Sequence, residues 1–567
     1  MKQHRWLPIP TDETAVQQLQ QQLSVAPVFC RLLTQRGILT YDEAHRFFRP
    51  SLEQLHDPFL MRDMDLAVER LDTAVRKGER ILLYGDYDVD GTTSVALMYA
   101  FLSGFYRHID YYLPDRDKEG YGVSLAGVDY AHGQGCSLII AMDCGIKAHA
   151  AVSKARSLGI DFIVCDHHLP DETLPEAVAN LDPKRPDCPY PCKDLSGCGI
   201  AFKFAQAYAQ LQDMPTEEIE HLLDLVVVSI ACDVVPMTGE NRVLAYFGLE
   251  KINRNPRLGL WALANRCGRS YPLEINDLVF GLGPLINAAG RLGDAREAVR
   301  LLLSADKTSA LDNAAALVQR NRQRREVDFA MTDEARRNVL EQDDWAARKS
   351  IVLFNPQWHK GIIGIAASRM AEHFHRPAVI LTESEGRAVG SARSVPGFDL
   401  YDALQQCEEL FYSYGGHAHA AGMQLPVENV PAFAQRFEQL VQTNLRPEDV
   451  HPALYLSAEL NFSDITPKFW RTLRQFAPFG PHNMSPVFIT RNVVDSGKSR
   501  FLANNHVKLS LHQENLETEA QGVGFGLADA FREVQGGRFD VAYSLHEDTW
   551  RGEQRLSIYV KALRTAD

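Results

Sequence analysis

Two adjacent imidazoles and a carboxylate, Asp166-His167-His168, stand directly after the apolar run Asp161-Phe162-Ile163-Val164-Cys165. That pattern offers metal ligands at the carboxyl end of a strand. One such triplet arises by chance, but three further acidic clusters occupy the same kind of place. They are Gly85-Asp86-Tyr87-Asp88-Val89-Asp90-Gly91 after Ile81-Leu82-Leu83, Asp143-Cys144-Gly145 after an apolar run over 138–142, and Asp233 after another over 225–230. Hard divalent cations such as Mn2+ or Mg2+ prefer carboxylate oxygens, and Mn2+ also accepts imidazole. On an extended segment Asp88 and Asp90 project to one side. With Asp143, His167 and Asp233 they supply ligands for two cations sharing a bridging carboxylate. Two cations ~3.5–4 Å apart can activate water and stabilise phosphoryl oxygens in an in-line displacement. Turn and capping carboxylates explain one cluster after a strand; four at successive strand ends favour a shared metal centre.

The elements that must hold these groups alternate. Strand candidates at 81–84, 109–113, 138–142, 162–165 and 225–230 are separated by helix-like stretches, which reads as βαβ units and a doubly wound parallel sheet. Such sheets bind ligands beyond the carboxyl ends of their strands, so segments distant in sequence converge there. From Asp294 to Asn355 the chain has neither Gly nor Pro, and apolar residues at near-helical spacing predict a long helix over 307–342. Its Arg320, Arg322, Arg324 and Arg325 are read as facing an anion. After Ser350 come a new strand and the glycine-rich turns Gly361-Ile362-Ile363-Gly364 and Gly415-Gly416-His417, where backbone N–H groups could approach a phosphate. Beyond about residue 452 a period-two alternation suggests a small β-barrel of the kind that binds single strands, with a β-sandwich nearly as compatible.

Composition sets outer bounds. A chain of 567 residues suggests two to four domains. Hydrophobic content of 45% with 23% charged residues is that of a soluble globular protein. No apolar leader opens the sequence and no run is long enough to span a bilayer, so a cytoplasmic location is expected. The ten cysteines are scattered, as for reduced thiols. Cys188, Cys192 and Cys198 lie close together but lack a Cys-x-x-Cys pair, so buried or idle thiols are favoured over a zinc loop. A net charge of −14 argues against coating nucleic acid through the overall field, while leaving room for a local basic groove.

These four acidic clusters resemble the successive motifs of the DHH phosphoesterase superfamily, and within it those of bacterial 5′→3′ exonucleases specific for single-stranded DNA. The segments at 114–122, 287–292, 358–365 and 415–422 support the resemblance, which covers about residues 40–430. It implies an N-terminal segment over 1–45, a doubly wound DHH catalytic domain over 46–306, and a linking helix over 307–345. A smaller α/β DHH-associated domain over 346–450 and an OB-like β-barrel over 451–567 would follow. By the same resemblance Asp88 binds one cation and Asp90 the other, Asp143 bridges them, and His167 and Asp233 complete the second site. His168 would act at the scissile phosphate, with Asp86 a supporting group. Arg116 and Arg291 would grip the 5′-terminal phosphate with Arg324 as a third member, and Arg393 and His417 would contact the nucleotide backbone. The implied partners are single-stranded DNA with a free 5′ end, a single-strand-binding protein and a helicase, around a monomeric enzyme. The rival within the superfamily is a phosphodiesterase of short oligonucleotides or cyclic dinucleotides; the rival outside it is a non-catalytic DNA-binding scaffold, which should have lost metal ligands. Tyr84 departs from relatives that carry a histidine there, which would leave the first cation an oxygen-only ligand set.

Overall fold

Five strands, β1 (Ile81–Gly85), β2 (Ile109–Tyr112), β3 (Leu138–Met142), β4 (Asp161–Cys165) and β5 (Ala179–Leu181), pair in parallel in the order β2-β1-β3-β4-β5. Every residue of β1 and β3 is buried, as a sheet covered on both faces requires. The chain steps from β1 out to β2 and then returns to the other side of β1, so the winding reverses between β1 and β3. That switch point is where doubly wound sheets open a crevice for ligands. The computed structural model describes residues 4–116, 118–342, 344–513, 518–550 and 553–566; Asp117, part of the motif at 114–122, lies outside the described residues.

Helices α1 (Val89–Ser103) and α2 (Gly197–Leu211) pack on this sheet, and α3 (Leu223–Cys232) packs on those two helices. Helix α3 corrects an expectation, because residues 225–230 form part of a helix and not a strand. The β-branched run Val226-Val227-Val228 favours a strand locally. Yet α1, α2 and the helix Gly239–Arg254 pack around this segment, which is buried from Leu223 to Ala231. Asp224, inside that packing, forms an ion pair with Arg257 at 2.7 Å. An apolar run of this length does not separate strand from buried helix by periodicity alone.

A 34-residue helix, α5 (Lys307–Leu340), is about 50 Å long at 1.5 Å per residue. Asp306 caps its start by accepting from the Ser309 N–H at 2.9 Å. Ala310, Ala314 and Leu317 join the core of the parallel-sheet domain. Met331, Ala335 and Val339 instead join a separate core with Ile351, Ile363 and Ile380. One helix thus belongs to two cores. The second contains the sheet β9-β10-β8-β7-β6, formed by β6 (Ile351–Phe354), β7 (Ala378–Ser384), β8 (Arg387–Arg393), β9 (Ser413–His417) and β10 (Ala420–Leu425). Helix α6 (Ile363–Phe374) packs on β7 and β8.

The chain divides into two compact units, residues 51–445 and a second made of 1–50 with 446–567. In the second, β11 (Phe488–Asp495), β12 (His506–Gln513), β13 (Glu519–Gly524), β14 (Phe539–Trp550) and β15 (Glu553–Thr565) run in the order β11-β14-β15-β13-β12. Pairing of β11 with β12 closes the barrel, and β13 pairs with β15 in parallel. This is the strand order of an OB-fold, with the helix Ala528–Val534 between its third and fourth strands. The sandwich alternative is therefore set aside. The N-terminal segment completes this unit: Arg5–Pro8 pairs with Ala453–Leu456, and Phe29 stacks near Phe469 and Phe476. No helix among the described residues is long and apolar enough to cross a membrane.

Candidate metal centre and anion site

Asp88 is the N-cap of α1 and accepts from the Gly91 N–H at 3.1 Å. Asp90 lies in the first helical turn, so these two carboxylates are brought together by a helix start and not by one extended segment. Asp90 is 2% exposed and accepts from the N–H groups of Gly197 and Cys198 at 2.7 and 2.8 Å, at the start of α2, and from the Ser229 hydroxyl at 2.6 Å. The free N–H groups and dipole of a helix start favour a negative group there. Asp143, directly after β3, has φ of +59° and donates its N–H to the Cys165 carbonyl at 2.8 Å. Asp233 follows the end of α3.

His167 joins them. Its Nε2 lies 3.2 Å from Asp143, 3.5 Å from Asp233 and 3.8 Å from Asp90. Neither ring nitrogen makes a hydrogen bond among the described residues, although both are buried. Asp88 lies close enough to Asp143 for a side-chain hydrogen bond. The five predicted ligands therefore meet at the switch point, and two ligand sets, Asp90-His167-Asp233 and Asp143-His167-His168, have the compactness to hold an ion. Burial, then the charge of Asp90, pushes the carboxyls of Asp88 and Asp143 above their usual range and that of Asp233 to about 8. Carboxylates crowded in this way are satisfied by cations. Orphaned imidazole nitrogens beside oxygen donors fit Mn2+ or Mg2+.

His168 has a different environment. Its Nδ1 lies 2.7 Å from Asp166, and its Nε2 lies 3.0 Å from the Tyr121 hydroxyl. Burial alone would lower its pKa, but the hydrogen bond and charge of Asp166 outweigh that and raise it to about 9. Asp166 in turn is held near 2: against its burial act the His168 hydrogen bond and the N–H of Ile146. Asp166 therefore fixes the orientation of the ring and favours its charged form. Asp86 is fully buried with one oxygen unpartnered, and burial followed by Asp88 raises its pKa. Tyr84 does not face the ligands. Its hydroxyl accepts from the Ser124 N–H at 3.0 Å and donates to the Gly122 carbonyl at 3.1 Å, fixing the loop that carries Tyr121.

A positive cluster adjoins this centre. Burial, then Arg116 and Arg324, lowers the pKa of Arg291 to about 10, and Arg116 also depresses Arg393 after the larger effect of burial. Arg116 lies over the ring of Tyr87, next to Asp88, at 5.3 Å. Arg291 Nη1 donates to the Gly361 carbonyl at 3.3 Å, joining the glycine-rich turn to the helix α4 (Gly283–Leu292). Among the described residues none of these four arginines forms an ion pair with a carboxylate. Gathering unpaired guanidinium groups is unfavourable unless an anion shares them. His417 is close enough to His168 for its charge, after burial, to depress the imidazole. The four-arginine run on α5 divides differently. Arg320 pairs with Glu297, Arg322 pairs with Glu326, Arg325 lies over Phe329, and Arg324 is the one turned to the cluster.

Sequence reasoning missed the support of Asp90. Ser196 is the N-cap of α2, accepts from Gly199, and bonds the Ser229 hydroxyl that reaches Asp90. Ser196-Gly197-Cys198-Gly199 before an apolar helix was the available signal. It also missed Asp182 after β5, fully buried with one oxygen unpartnered and raised by burial to about 7. Among the described residues the three grouped cysteines belong to no cluster compact enough to hold an ion: Cys188 accepts from the Arg62 N–H and Cys198 is buried against Asp90. A Cβ at Gly197 would come within 2.7 Å of the Asp143 Cβ. Gly197→Ala should therefore displace Asp143, with about 1–3 kcal/mol of overpacking strain. Calorimetric titration should show Mn2+ affinity about tenfold weaker. Unchanged affinity would remove Asp143 from the ligand set.

Residues 80–230 match the DHH family N-terminal domain, 348–443 the DHHA1 domain, and 456–562 the RecJ OB domain. The single-stranded-DNA-specific exonuclease RecJ of Bacillus subtilis (strain 168) is 36% identical over 98% of this chain and 70% of its own length. That of Escherichia coli (strain K12) is 34% identical over 94% of this chain and 95% of its own. A crystal structure of RecJ in complex with Mn2+ from Thermus thermophilus superposes with a TM-score of 0.84 at 27% identity, covering 100% of this chain and 80% of that one. Its Mg2+ complex gives 0.78 at 26% identity, covering 100% and 79%.

Proposed function

The chain belongs to the RecJ family of single-stranded-DNA-specific exonucleases, and on that premise we propose that it hydrolyses single-stranded DNA from the 5′ end to mononucleotides. The observation that carries this reading is the pairing, in one crevice, of a cation-demanding carboxylate cluster with an arginine cluster none of whose members forms an ion pair among the described residues. Asp88 would hold one cation, Asp90, His167 and Asp233 the other, and Asp143 both. When bound, the cations supply Lewis-acid charge at the phosphoryl oxygens and make water a stronger nucleophile at neutral pH. His168, oriented by Asp166 and favoured by it in the charged form, would supply a preorganised positive charge where the phosphate becomes more negative. Arg116, Arg291 and Arg324 clamp the terminal phosphate dianion, which sets the next phosphodiester over the ligands and fixes direction. Arg393 and His417 contact the backbone beyond. The enzyme acts as a cytoplasmic monomer in recombination and repair, on strands opened by a helicase and covered by a single-strand-binding protein.

Strands labelled at either end, with and without Mn2+, test the direction. A 5′ label should appear at once as mononucleotide and a 3′ label last, both only with the metal. Early mononucleotide from the 3′ label would overturn the assignment. Asp90, Asp143 and His167 are 2%, 2% and 6% exposed, so a phosphate must be inserted to reach them, which one strand can do and a paired one cannot. Blunt duplex should resist digestion until a 5′ overhang or a helicase is supplied. Digestion of blunt duplex at the single-strand rate would contradict the proposed access route.

A further inference from the structure

Phe280 is the most exposed large apolar side chain among the described residues, at 71%. It stands on a single π-turn, Leu278–Leu282, that runs directly into α4. Such turns concentrate at functional sites. The turn is fixed to the edge of the metal centre. Cys232, the neighbour of Asp233, has its Sγ 3.7 Å from the Leu278 carbonyl, and a Cβ on Gly283 would lie 2.5 Å from that sulfur. On the other side of Asp233, Val234 is 59% exposed and takes a φ of +60°, a conformation that a β-branched residue adopts only under constraint. Val234 is thus kept in water beside a proposed ligand, and Phe280 on a turn that packs against that ligand's neighbour.

Helix α4 gives the scale. Its far end carries Arg291 and Gly290, and a Cβ on Gly290 would lie 2.4 Å from the carbonyl of Tyr87, the neighbour of Asp88. Ten residues at 1.5 Å each span about 15 Å. Arg291, near the end of α4, and Phe280, on the turn just before its start, thus lie toward the Asp88 and Asp233 sides of the ligand set. At ~3.4 Å per stacked nucleotide, 15 Å is roughly four steps, and fewer where the strand is extended. We infer that Phe280 stacks on a nucleobase of the substrate strand a few nucleotides 3′ of the cleaved bond, holding the strand in line with the terminal-phosphate clamp. This rests on the exonuclease reading above. Stacking on an aromatic ring tolerates any base, which suits a substrate of mixed sequence.

The test compares Phe280→Ala and Phe280→Trp on a 5′-phosphorylated 20-mer and on a 5′-phosphorylated dinucleotide too short to reach the ring. Phe280→Ala should lose about tenfold in kcat/KM on the 20-mer, through KM, and stay within about twofold on the dinucleotide. Phe280→Trp should retain wild-type values on both. A 20-mer with abasic sugars at its third to fifth positions should abolish the difference between wild type and Phe280→Ala. Equal losses on both lengths, or no loss on the 20-mer, would overturn the stacking role while wild-type cleavage of both substrates leaves the exonuclease reading standing. A wild type inactive on both would overturn the inference together with that reading.

Discussion

Asp143→Asn should abolish hydrolysis while leaving the protein folded. The side chain is 2% exposed, sits against the backbone of Gly197 and faces His167 at 3.2 Å. Asparagine has nearly the same shape and fits the same space, so the substitution removes charge and little else. Without that charge two cations cannot share the site, and we expect a loss of a thousandfold or more, roughly 4 kcal/mol of transition-state stabilisation. Stability should move the other way. Burial, then Asp90, Asp88 and Asp233, raises the Asp143 pKa. A raised acid contributes stability below its unfolded pKa and loses it as pH rises through the folded value. At pH 7 the metal-free wild type therefore bears a cost that asparagine lacks. The metal-free variant should melt at or above the wild-type temperature, and added Mn2+ should no longer raise it. Activity within about tenfold of wild type, a difference of ~1.4 kcal/mol, would sink the bridging role.

The sequence exposes this centre because strands buried on both faces read as uninterrupted apolar runs, and their ends are marked by the first charged residues. β1, β3 and β4 are legible for that reason, and so are Asp143 and Asp166-His167-His168 after two of them. The same rule misplaces residues 225–230, since a helix packed on several sides is also an uninterrupted apolar run. It also hides the helix start at Asp88. Val89-Asp90-Gly91-Thr92-Thr93 is a poor helix former, its Thr92 and Thr93 hydroxyls bonding back to carbonyls of the preceding turn, and its start is held by the Asp88 cap on the Gly91 N–H. Arginine partners lie beyond sequence reasoning altogether. Arg320 and Arg324 share one helix, yet a glutamate 23 residues earlier neutralises the first, while the second is left to a cluster assembled from four separate segments. The union of residues 1–50 with the C-terminal barrel is a long-range packing event that no local pattern announces.

Arg291→Ala should separate 5′-phosphorylated from 5′-hydroxyl strands. Burial and the neighbouring Arg116 and Arg324 lower its pKa to about 10, so three guanidinium groups face one another at a cost that a phosphate dianion would reverse. Among the described residues its one hydrogen bond, to the Gly361 carbonyl at 3.3 Å, leaves the rest of the fork for a ligand. Losing a charge-assisted hydrogen bond typically costs ~1.5–3 kcal/mol. Use of 5′-phosphorylated strands should thus fall about ten- to a hundredfold, with Mn2+ affinity unchanged. Strands with a 5′-hydroxyl should be affected much less, because the missing contact was to the terminal phosphate. Arg291→Lys should recover only part of the loss, since a point charge cannot reproduce a bidentate fork. Both substrates must be compared at one ionic strength, because backbone contacts are salt-sensitive. Equal losses on the two would mean that Arg291 serves general backbone binding. The 5′-end clamp would then be wrong, and direction would have to come from the path of the strand beyond the metal ligands.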